Sequence, residues 1–192
     1  MSLASERTPL ATTHTIERLD AADMEGLAAF VTVHEEAAMW LWERGIRQWR
    51  PGEFTVDALH RLLASGGEVY LARRDGVPAG GFTLQWEDDD AWGQQAPDAG
   101  YLHALCVRRA DAGTGLGAAL LDYASQRVAA QGRVWLRLDC WAGNDVLRAY
   151  YERHGFSLRG VAEKHNYFVA LYERAAGGSA DGSAGMGGSA GE

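Results

Sequence analysis

The sequence has little cysteine and no long apolar run. Its two cysteines, Cys106 and Cys140, each lie in an apolar context of strand type. Because the chain has neither a Cys-x-x-Cys pair nor clustered histidines, we expect no zinc or other metal site. No apolar segment follows a basic one near Met1, and no stretch approaches the roughly 20 apolar residues that span a bilayer. These absences favour a reduced, cytoplasmic protein with no membrane partner.

Basic residues are also scarce relative to acidic ones. The chain has 18 Lys and Arg against 26 Asp and Glu, which gives a formal net charge of −8. Nucleic-acid binders need a basic surface that displaces counterions from phosphates, so this balance argues against a nucleic-acid partner. An acidic protein is better suited to a cationic amine as its small-molecule substrate.

Apolar residues make up 47% of the 192, which is enough for the core of one domain. Residues 1–13 are polar and unpatterned, and we expect a flexible arm there. Residues 14–173 carry the periodicities of strands and helices. Residues 174–192 are rich in Gly, Ser and Ala without periodicity, which predicts a disordered tail because such a segment buries too little apolar surface to become ordered.

The periodicity of residues 14–173 alternates between strands and helices. The predicted order is a strand, two helices, two strands, an acidic loop over Glu87–Asp98, two strand–helix pairs and two final strands. Asp20 is expected to cap the first helix and Thr55 the second, while Gly80 and Gly81 indicate a bulge in the third strand. This order predicts an α/β fold with a mixed, twisted sheet flanked by helices.

One stretch, Tyr101–Leu121, organises the rest of the chain. It begins as an apolar strand, passes through a loop that carries Gly113, Gly115 and Gly117, and ends in a helix. Glycines at such a junction allow a positive φ and a close approach to a ligand. A helix N-terminus adds unpaired N–H groups and a partial positive charge. The stretch therefore predicts a main-chain cradle for a phosphate.

Two kinds of phosphate loop fit these glycines. Residues 113–118 match the G-x-G-x-x-G/A pattern of dinucleotide-binding folds, and Asp139 supplies the acid that such folds place about 20 residues onward. Against this interpretation, Arg108–Ala112 separate the strand from the first glycine, and too little chain follows Asp139 to complete a doubly wound sheet. A Walker loop is excluded because the chain has no Gly-Lys-Ser/Thr.

The other kind is the acetyl-CoA loop of the GCN5-related N-acetyltransferases (GNAT). That loop has the pattern Arg/Gln-x-x-Gly-x-Gly/Ala after a strand ending in Val, and this chain has Leu105-Cys106-Val107 and then residues 112–117. The family next carries an Asn and a helix ending in Tyr-Glu-x-x-Gly-Phe, which match Asn144 and residues 151–156. With both motifs in order, the region from Tyr101 to about Tyr172 resembles this family.

The resemblance implies acetyl-CoA as the co-substrate, held mainly by the backbone. The implied cofactor-binding residues are Leu105, Cys106, Val107, Ala112, Gly113, Thr114, Gly115, Leu116, Gly117, Ala118 and Asn144. Backbone groups of Leu105 and Val107 are expected to pair with the pantetheine arm as an added strand would, with a nearby N–H facing the thioester carbonyl. Ala112 departs from the family's Arg or Gln, so Arg108 or Arg109 becomes the candidate partner of the pyrophosphate, unless both are simply solvated.

Tyr151 occupies the family's tyrosine position and is the candidate general acid for the departing thiolate. It follows Asn144 by seven residues, about two turns along one helix face. A phenol with a reference pKa of about 10 can protonate a thiolate. In the competing interpretation, Tyr151 packs in the core with its hydroxyl satisfied. Asn144 likewise has a second possible role, as the N-cap of its helix.

His103 is the candidate general base. It lies on the central strand two residues before Leu105, and a reference pKa near 6.5 suits it to deprotonate an ammonium directly or through water. A strand histidine can equally be structural. The acidic run Glu87–Asp90 could instead supply the base, attract a cationic substrate or be merely solvated. His165 is a weaker candidate, and Cys140 as an acyl-carrying nucleophile has no base beside it in sequence.

Trp42, Gln48, Trp49 and Glu87 are the candidate substrate-binding residues. The tryptophans follow the first long helix, where aromatic rings could surround an amine and bind it by cation–π contact. The same rings could instead pack that helix onto the sheet. Both interpretations stay open at this point.

These observations together predict an N-acetyltransferase that moves an acetyl group directly from acetyl-CoA to the primary amine of a small molecule. Two alternatives remain. The acceptor could be a protein N-terminus or lysine, or the chain could be a non-catalytic module that senses acyl-CoA or a nucleotide. A homodimer is possible by analogy with the family.

Overall fold

A computed structural model describes residues 14–164 and 167–177 of the chain. The predicted arm over residues 1–13, the candidate base His165 and residues 178–192 of the predicted tail lie outside the described residues. The strands are β1 (His14–Leu19), β2 (Glu68–Arg74), β3 (Val77–Gln85), β4 (Ala99–Val107), β5 (Trp135–Trp141), β6 (Ser157–Lys164) and β7 (Tyr167–Ala175). The helices are α1 (Met24–Glu43), α2 (Val56–Ala64), α3 (Asp89–Trp92), α4 (Leu116–Ala130) and α5 (Asp145–Arg153).

The strands form one mixed sheet in the order β1-β2-β3-β4-β5-β7-β6. Neighbouring strands are antiparallel except β4 and β5, which are parallel and pair only over Ala99–Leu102 and Trp135–Leu138. Beyond Leu102 the two strands have no further paired residues, so a gap opens in the middle of the sheet. The predicted α/β fold with a mixed sheet flanked by helices is confirmed.

Helices cover both faces of the sheet because its central strands are apolar on both sides. On one face, Leu27 and Phe30 of α1 pack with Val69 and Leu71 of β2. On the other, α4 and α5 cover a larger cluster that includes Tyr70, the next residue along β2. The alternation of β2 therefore divides its side chains between two cores.

The helix N-termini follow local hydrogen-bonding chemistry. Thr55 caps α2 as predicted, its side chain accepting from the Ala58 amide at 3.1 Å. The prediction that Asp20 caps α1 is wrong, because Asp23 does so by accepting from the Gly26 amide at 2.8 Å. Asp20 instead accepts from the amides of Ala22 and Asp23 in the preceding turn.

Two segments are more ordered than the sequence suggested. The acidic loop contains the one-turn helix α3, which begins where the Asp88 side chain accepts from the Ala91 amide. Strand β7 continues to Ala175, two residues beyond the expected domain end. There the buried Arg174 donates to the Leu121 carbonyl at 2.6 Å. In the part of the chain that the structure describes, no helix has the length and apolarity needed to cross a bilayer.

Candidate active site

Strand β4 carries a bulge where the gap opens. Cys106 pairs with Gly81 and His103 with Thr83, so β4 advances three residues while β3 advances two. Ala104, inside this irregularity, has φ +52°, which a residue with a Cβ seldom adopts. On the other side of β3, Gly81 allows close packing against β2, because a Cβ there would lie 2.5 Å from the Tyr70 carbonyl oxygen. The bulge predicted in the third strand is also present beside Gly80: Ala72 pairs with Gly80 and Arg73 with Pro78, so Ala79 is an extra residue on β3.

The last residues of β4 present backbone groups to the gap. The Arg108 amide donates to the Ala79 carbonyl on β3 at 2.8 Å. Since amides alternate in direction along a strand, those of Val107 and Leu105 point to the opposite edge. That edge has lost β5 as a partner. The chain thus offers an unpaired strand edge at the two residues expected to hold pantetheine.

A cavity of about 230 Å³ lies at this gap. Its lining includes five residues predicted from sequence, namely Gln48, Trp49, His103, Leu105 and Tyr151. Asp139, Lys164 and Tyr167 also line it, from β5, β6 and β7. The fold therefore brings the candidate acid, the candidate base and the strand edge to one cavity.

His103 lies between two carboxylates, and Asp88, His103 and Asp139 are here called the His103 cluster. The imidazole Nε2 is 3.6 Å from Asp88 Oδ2, and Nδ1 is 3.7 Å from Asp139 Oδ1. Both distances are too long for hydrogen bonds. Among the described residues, His103 Nε2 and Asp88 Oδ2 are buried without a hydrogen-bond partner. The cluster is thus close enough for electrostatic coupling yet open to a further partner.

The electrostatics of the His103 cluster favour a neutral imidazole. Burial lowers the pKa of His103, and the charge of Lys164 lowers it further, while Asp88 and Asp139 raise it; the net shift is downward. Burial also raises the pKa of Asp139, against the opposing effect of His103 and Lys164. An unprotonated His103 at neutral pH can accept a proton from an incoming group.

The His103 cluster also contains ligand types that metals use. The three donor atoms lie within 4.8 Å of one another, a juxtaposition that the spread-out sequence positions concealed. Lys164, whose ammonium is 3.2 Å from Asp90 Oδ2, adds a positive charge beside the cluster that opposes a cation there. The geometry therefore favours proton transfer over metal binding.

The position of Tyr151 is compatible with either interpretation offered from sequence. It is buried, and its ring contacts those of Phe156 and Tyr172 in the core. It also lines the cavity beside Cys140. Burial raises the pKa of Tyr151 well above its usual value, with smaller contributions from the Cys140 thiol and Tyr150. The phenol therefore keeps its proton throughout the neutral range and can donate it.

The glycine loop has the backbone expected of an anion cradle. Gly113 and Gly115 have φ +80° and +85°, and Gly115 is the N-cap of α4. No side chain among the described residues caps that helix, so its first amides are left to a ligand. Gly117 admits the Tyr150 hydroxyl, which would lie 2.6 Å from a Cβ at that position. Ala118 follows in the first turn of the helix.

Side chains of the loop contribute less than its backbone. Leu116 is buried in the core, so only its amide can face a ligand. The Thr114 hydroxyl donates to the Asp111 carbonyl at 2.7 Å. Ala112, which replaces the family's Arg or Gln, ends a 3-10 turn and has no polar side chain to offer.

The two arginines proposed in place of that side chain differ in availability. Arg108 pairs with Glu36 at 2.6 Å and donates to the Pro78 carbonyl, so its guanidinium is already occupied. Arg109 lies over the Trp40 ring, its Cζ 4.2 Å from the centroid, and forms no ion pair among the described residues. Of the two, Arg109 remains the candidate for a pyrophosphate contact.

Cys106, Glu87 and Trp42 are among the sequence-predicted site residues that do not line the cavity. The side chain of Cys106 is turned towards α1, with Sγ 3.8 Å from the Val33 carbonyl oxygen, and its backbone pairs with Gly81 of β3. Glu87 is exposed, and its neighbour Asp88 reaches His103 instead. Trp42 lines an outer cleft, where the Arg47 guanidinium lies 3.8 Å from the ring centroid.

Asn144 has the capping role considered from sequence. Its Oδ1 accepts from the Leu147 amide at 3.1 Å at the start of α5, and its Nδ2 lies 3.4 Å from Gln48 Oε1. The contact ties the second motif to the loop that lines the cavity. Sequence reasoning missed that Asp88 and Asp139 would meet at His103, although Asp88 lies in the acidic run and Asp139 was considered as the acid that follows the glycine loop.

Comparison with known proteins agrees with the geometry. The model of the Acetyltransferase (GNAT) family matches residues 30–156. "Uncharacterized N-acetyltransferase YesJ" of Bacillus subtilis is 32% identical over 155 residues, which are 71% of this chain and 85% of that protein. The dinucleotide-binding interpretation is therefore wrong, and the glycine loop is that of an acetyltransferase of this family.

Solved structures show the same fold. An acetyltransferase of the GNAT family from Listeria monocytogenes is 27% identical with a TM-score of 0.68, covering 84% of this chain and 94% of that one. YncA of Salmonella typhimurium, solved with acetyl-CoA, is 16% identical with a TM-score of 0.63, covering 90% and 99%. The fold of this chain is thus one that holds acetyl-CoA in a solved neighbour.

Proposed function

This chain belongs to the GNAT acetyltransferase family and is an acetyl-CoA-dependent acyltransferase, and from this premise we propose that its acceptor is the primary amine of a small molecule. Transfer is direct, within a ternary complex and without an acyl-enzyme. The observation that carries the proposal is the cavity that joins the His103 cluster, Tyr151 and the free edge of β4. Burial raises the pKa of the Cys140 thiol to about 12, which makes it a poor nucleophile.

The cofactor site is the gap together with the start of α4. The amides of the first turn, after Gly115, hold the diphosphate, and Leu105 and Val107 pair with the pantetheine arm. Acetyl-CoA supplies the activated acetyl group as a thioester. The unpaired strand edge and the uncapped helix fit such a ligand, because both leave backbone donors without a partner among the described residues.

His103 receives the proton of the acceptor ammonium, directly or through one water. Its lowered pKa keeps the imidazole unprotonated and ready to accept. Asp139 and Asp88 then stabilise the imidazolium, since each carboxylate lies within 4 Å of a ring nitrogen. The two carboxylates also attract the cationic amine into the cavity before it is deprotonated.

The amide of Leu105 and the phenol of Tyr151 handle the two developing negative charges. Leu105 donates to the thioester oxygen, a type of contact worth about 2.7–4 kcal/mol where one such donor has been removed from other enzymes. Tyr151 donates its proton to the departing thiolate and regains one from the nitrogen of the tetrahedral intermediate, which loses its second proton as the amide forms. Its raised pKa ensures that the proton is present.

The size of the cavity favours a small acceptor over a protein. About 230 Å³ accommodates an amine and a short chain, and Trp49 and Phe54 provide its apolar wall. An outer cleft lined by Trp42, Trp141 and Tyr167 continues from it and can hold the rest of the molecule. A protein N-terminus or lysine would have to enter as an extended end through that cleft.

The proposal is tested by measuring thiol release from acetyl-CoA against a panel of small primary amines and a matched set of peptides. Small amines should be acetylated with the higher kcat/KM, and a preference for peptides would reverse the acceptor assignment. Tyr151→Phe should lower kcat about 100-fold or more with little change in the Kd for acetyl-CoA. Tyr150→Phe is the matched control, and unchanged turnover in Tyr151→Phe removes that phenol from the mechanism.

A further inference from the structure

His34 of α1 is a fully buried histidine that contacts the backbone of the active-site bulge. Its Nδ1 lies 2.7 Å from the Phe30 carbonyl oxygen, one turn back in the same helix. Its Nε2 lies 2.7 Å from the carbonyl oxygen of Ala104, seventy residues away on β4. The ring thus spans the distance from the helix to the strand irregularity.

The ring has one proton to share between these two acceptors. Burial lowers the pKa of His34 to about 4, against smaller opposing effects of the two carbonyls and Glu35, so the imidazole is neutral. The Phe30 carbonyl is the i−4 acceptor for the His34 amide within α1. The Ala104 carbonyl has His34 as its hydrogen-bond partner among the described residues. The proton therefore belongs on Nε2.

Aromatic neighbours hold the ring in place. The Phe30 ring is stacked on it with centroids 3.8 Å apart, and the Phe54 ring lies at 5.0 Å. The Trp49 ring is 6.1 Å away, and both Trp49 and Phe54 line the cavity. The imidazole therefore has little freedom to turn away from Ala104.

Ala104 needs such a constraint. Its φ of +52° is unfavourable for a residue with a Cβ and persists only where surrounding contacts enforce it. The residue lies between His103 and Leu105, so its conformation sets the direction of the next amide. A relaxation of Ala104 to a negative φ would rotate the Leu105 N–H away from the gap.

We propose that His34 is a positioning residue whose Nε2–H holds the Ala104 carbonyl and thereby aims the Leu105 amide at the thioester oxygen. This inference rests on the proposed function in assigning that amide its donor role. His34 touches neither substrate, and it acts through the strand alone. Loss of its donor should consequently impair turnover more than binding.

The test compares His34→Gln, which keeps a donor near the position of Nε2, with His34→Leu, which keeps bulk without a donor. His34→Leu should lower kcat by up to about 100-fold while the Kd for acetyl-CoA changes by less than about threefold. His34→Gln should restore most of kcat. Equal losses in both variants, or unchanged kcat in His34→Leu, would overturn the proposal.

A second substitution examines the strained residue itself. Glycine adopts a positive φ without penalty, so Ala104→Gly should lessen the dependence of kcat on His34. In the double variant His34→Leu/Ala104→Gly, kcat should exceed that of His34→Leu alone. A double variant no better than His34→Leu would show that the bulge conformation is not what His34 protects.

A measurement on the unmodified protein keeps the inference testable if a variant fails to fold. The imidazole ¹⁵N shifts of His34 at pH 7 should identify a neutral ring protonated at Nε2. A neutral ring protonated at Nδ1 alone would contradict the proposal, because Nε2 would then have no proton to donate to the Ala104 carbonyl. Because this readout needs no acceptor, it stands apart from any failure of the amine panel.

Discussion

Two acidic clusters occupy the same sheet, one around the buried Glu68 and one around the half-buried His103, and they are built in opposite ways. In the Glu68 cluster (Glu68, Tyr70 and Arg127), the carboxylate accepts from the Tyr70 hydroxyl at 2.6 Å and from Arg127 at 2.6 and 2.9 Å. In the His103 cluster, the nearest approaches are 3.6 and 3.7 Å. A satisfied network stabilises the fold, whereas an open one retains the capacity to bind.

The pKa shifts follow from this difference. Burial raises the pKa of Glu68, but hydrogen bonds from Arg127 and Tyr70 outweigh it, and the net shift is downward. Burial of Asp139 meets no such hydrogen bonds, and the net shift of its pKa is upward. Buried carboxylates are therefore structural where their lone pairs are filled and reactive where they are not.

Replacing His103 tests whether the His103 cluster is catalytic. His103→Gln should lower kcat by about 10²- to 10⁴-fold, because a general base in proton transfer contributes that much. The free energy of unfolding should hardly change, since the ring forms no hydrogen bonds within the described residues. Steady-state kinetics and urea unfolding would check both, with His60→Gln as a control far from the cavity.

Replacing Arg127 tests whether the Glu68 cluster stabilises the fold. Arg127→Ala should reduce the free energy of unfolding by about 3–5 kcal/mol, because Glu68 would be left buried without its main partner. The kcat of the folded fraction should stay close to that of the parent. The control is Arg159→Ala, an exposed arginine 3.5 Å from Glu173, expected to cost less than about 1 kcal/mol. Similar losses of unfolding free energy in Arg127→Ala and Arg159→Ala would show that the Glu68 cluster contributes no more than an exposed ion pair.

Removing one carboxylate sharpens the electrostatic part of the contrast. His103 acts as a base only when neutral, so kcat should fall as pH drops through its pKa, which lies below 6.5. Asp139 raises that pKa, so Asp139→Asn should move the acid limb to lower pH and reduce kcat about tenfold. A limb that moves to higher pH, or stays in place, would argue against coupling between Asp139 and His103.

The smallest effect concerns stability in acid. Because the folded-state pKa of Glu68 lies below its unfolded value near 4.5, its contribution is complete above that value and is lost as pH falls through the folded pKa. Glu68→Gln should therefore flatten the fall in unfolding free energy below about pH 4.5. Urea unfolding from pH 3 to 7 would reveal the change, and Glu163→Gln, on β6, serves as a control.

Much of the fold could be predicted from local pattern. The alternation of His14–Leu19 and Glu68–Arg74 and the turn at Asp75-Gly76 define elements that the structure reproduces. The glycines and the Tyr151 motif predicted the cofactor loop and the candidate acid. These signals work because strand and helix periods and positive φ are properties of a few neighbouring residues.

What sequence could not predict are the encounters between distant residues. Asp88 and Asp139 meet at His103 only because β4 and β5 are adjacent and α3 folds over them. The bond from His34 to Ala104 depends on the packing of α1 against β4. Sequence points to Glu87, whereas Asp88 is the residue that reaches His103, because a run of acidic residues does not indicate which side chain turns inward.

The separation of β4 and β5 beyond Leu102 affects how rigidly the two halves of the sheet are joined. The two halves of the sheet share backbone hydrogen bonds along a seam that ends at Leu102 and Leu138. A ligand that pairs with the backbone of Leu105 and Val107 would add hydrogen bonds beyond the end of that seam. Hydrogen exchange at these two amides should slow on loading, and the enzyme should be stiffest when occupied.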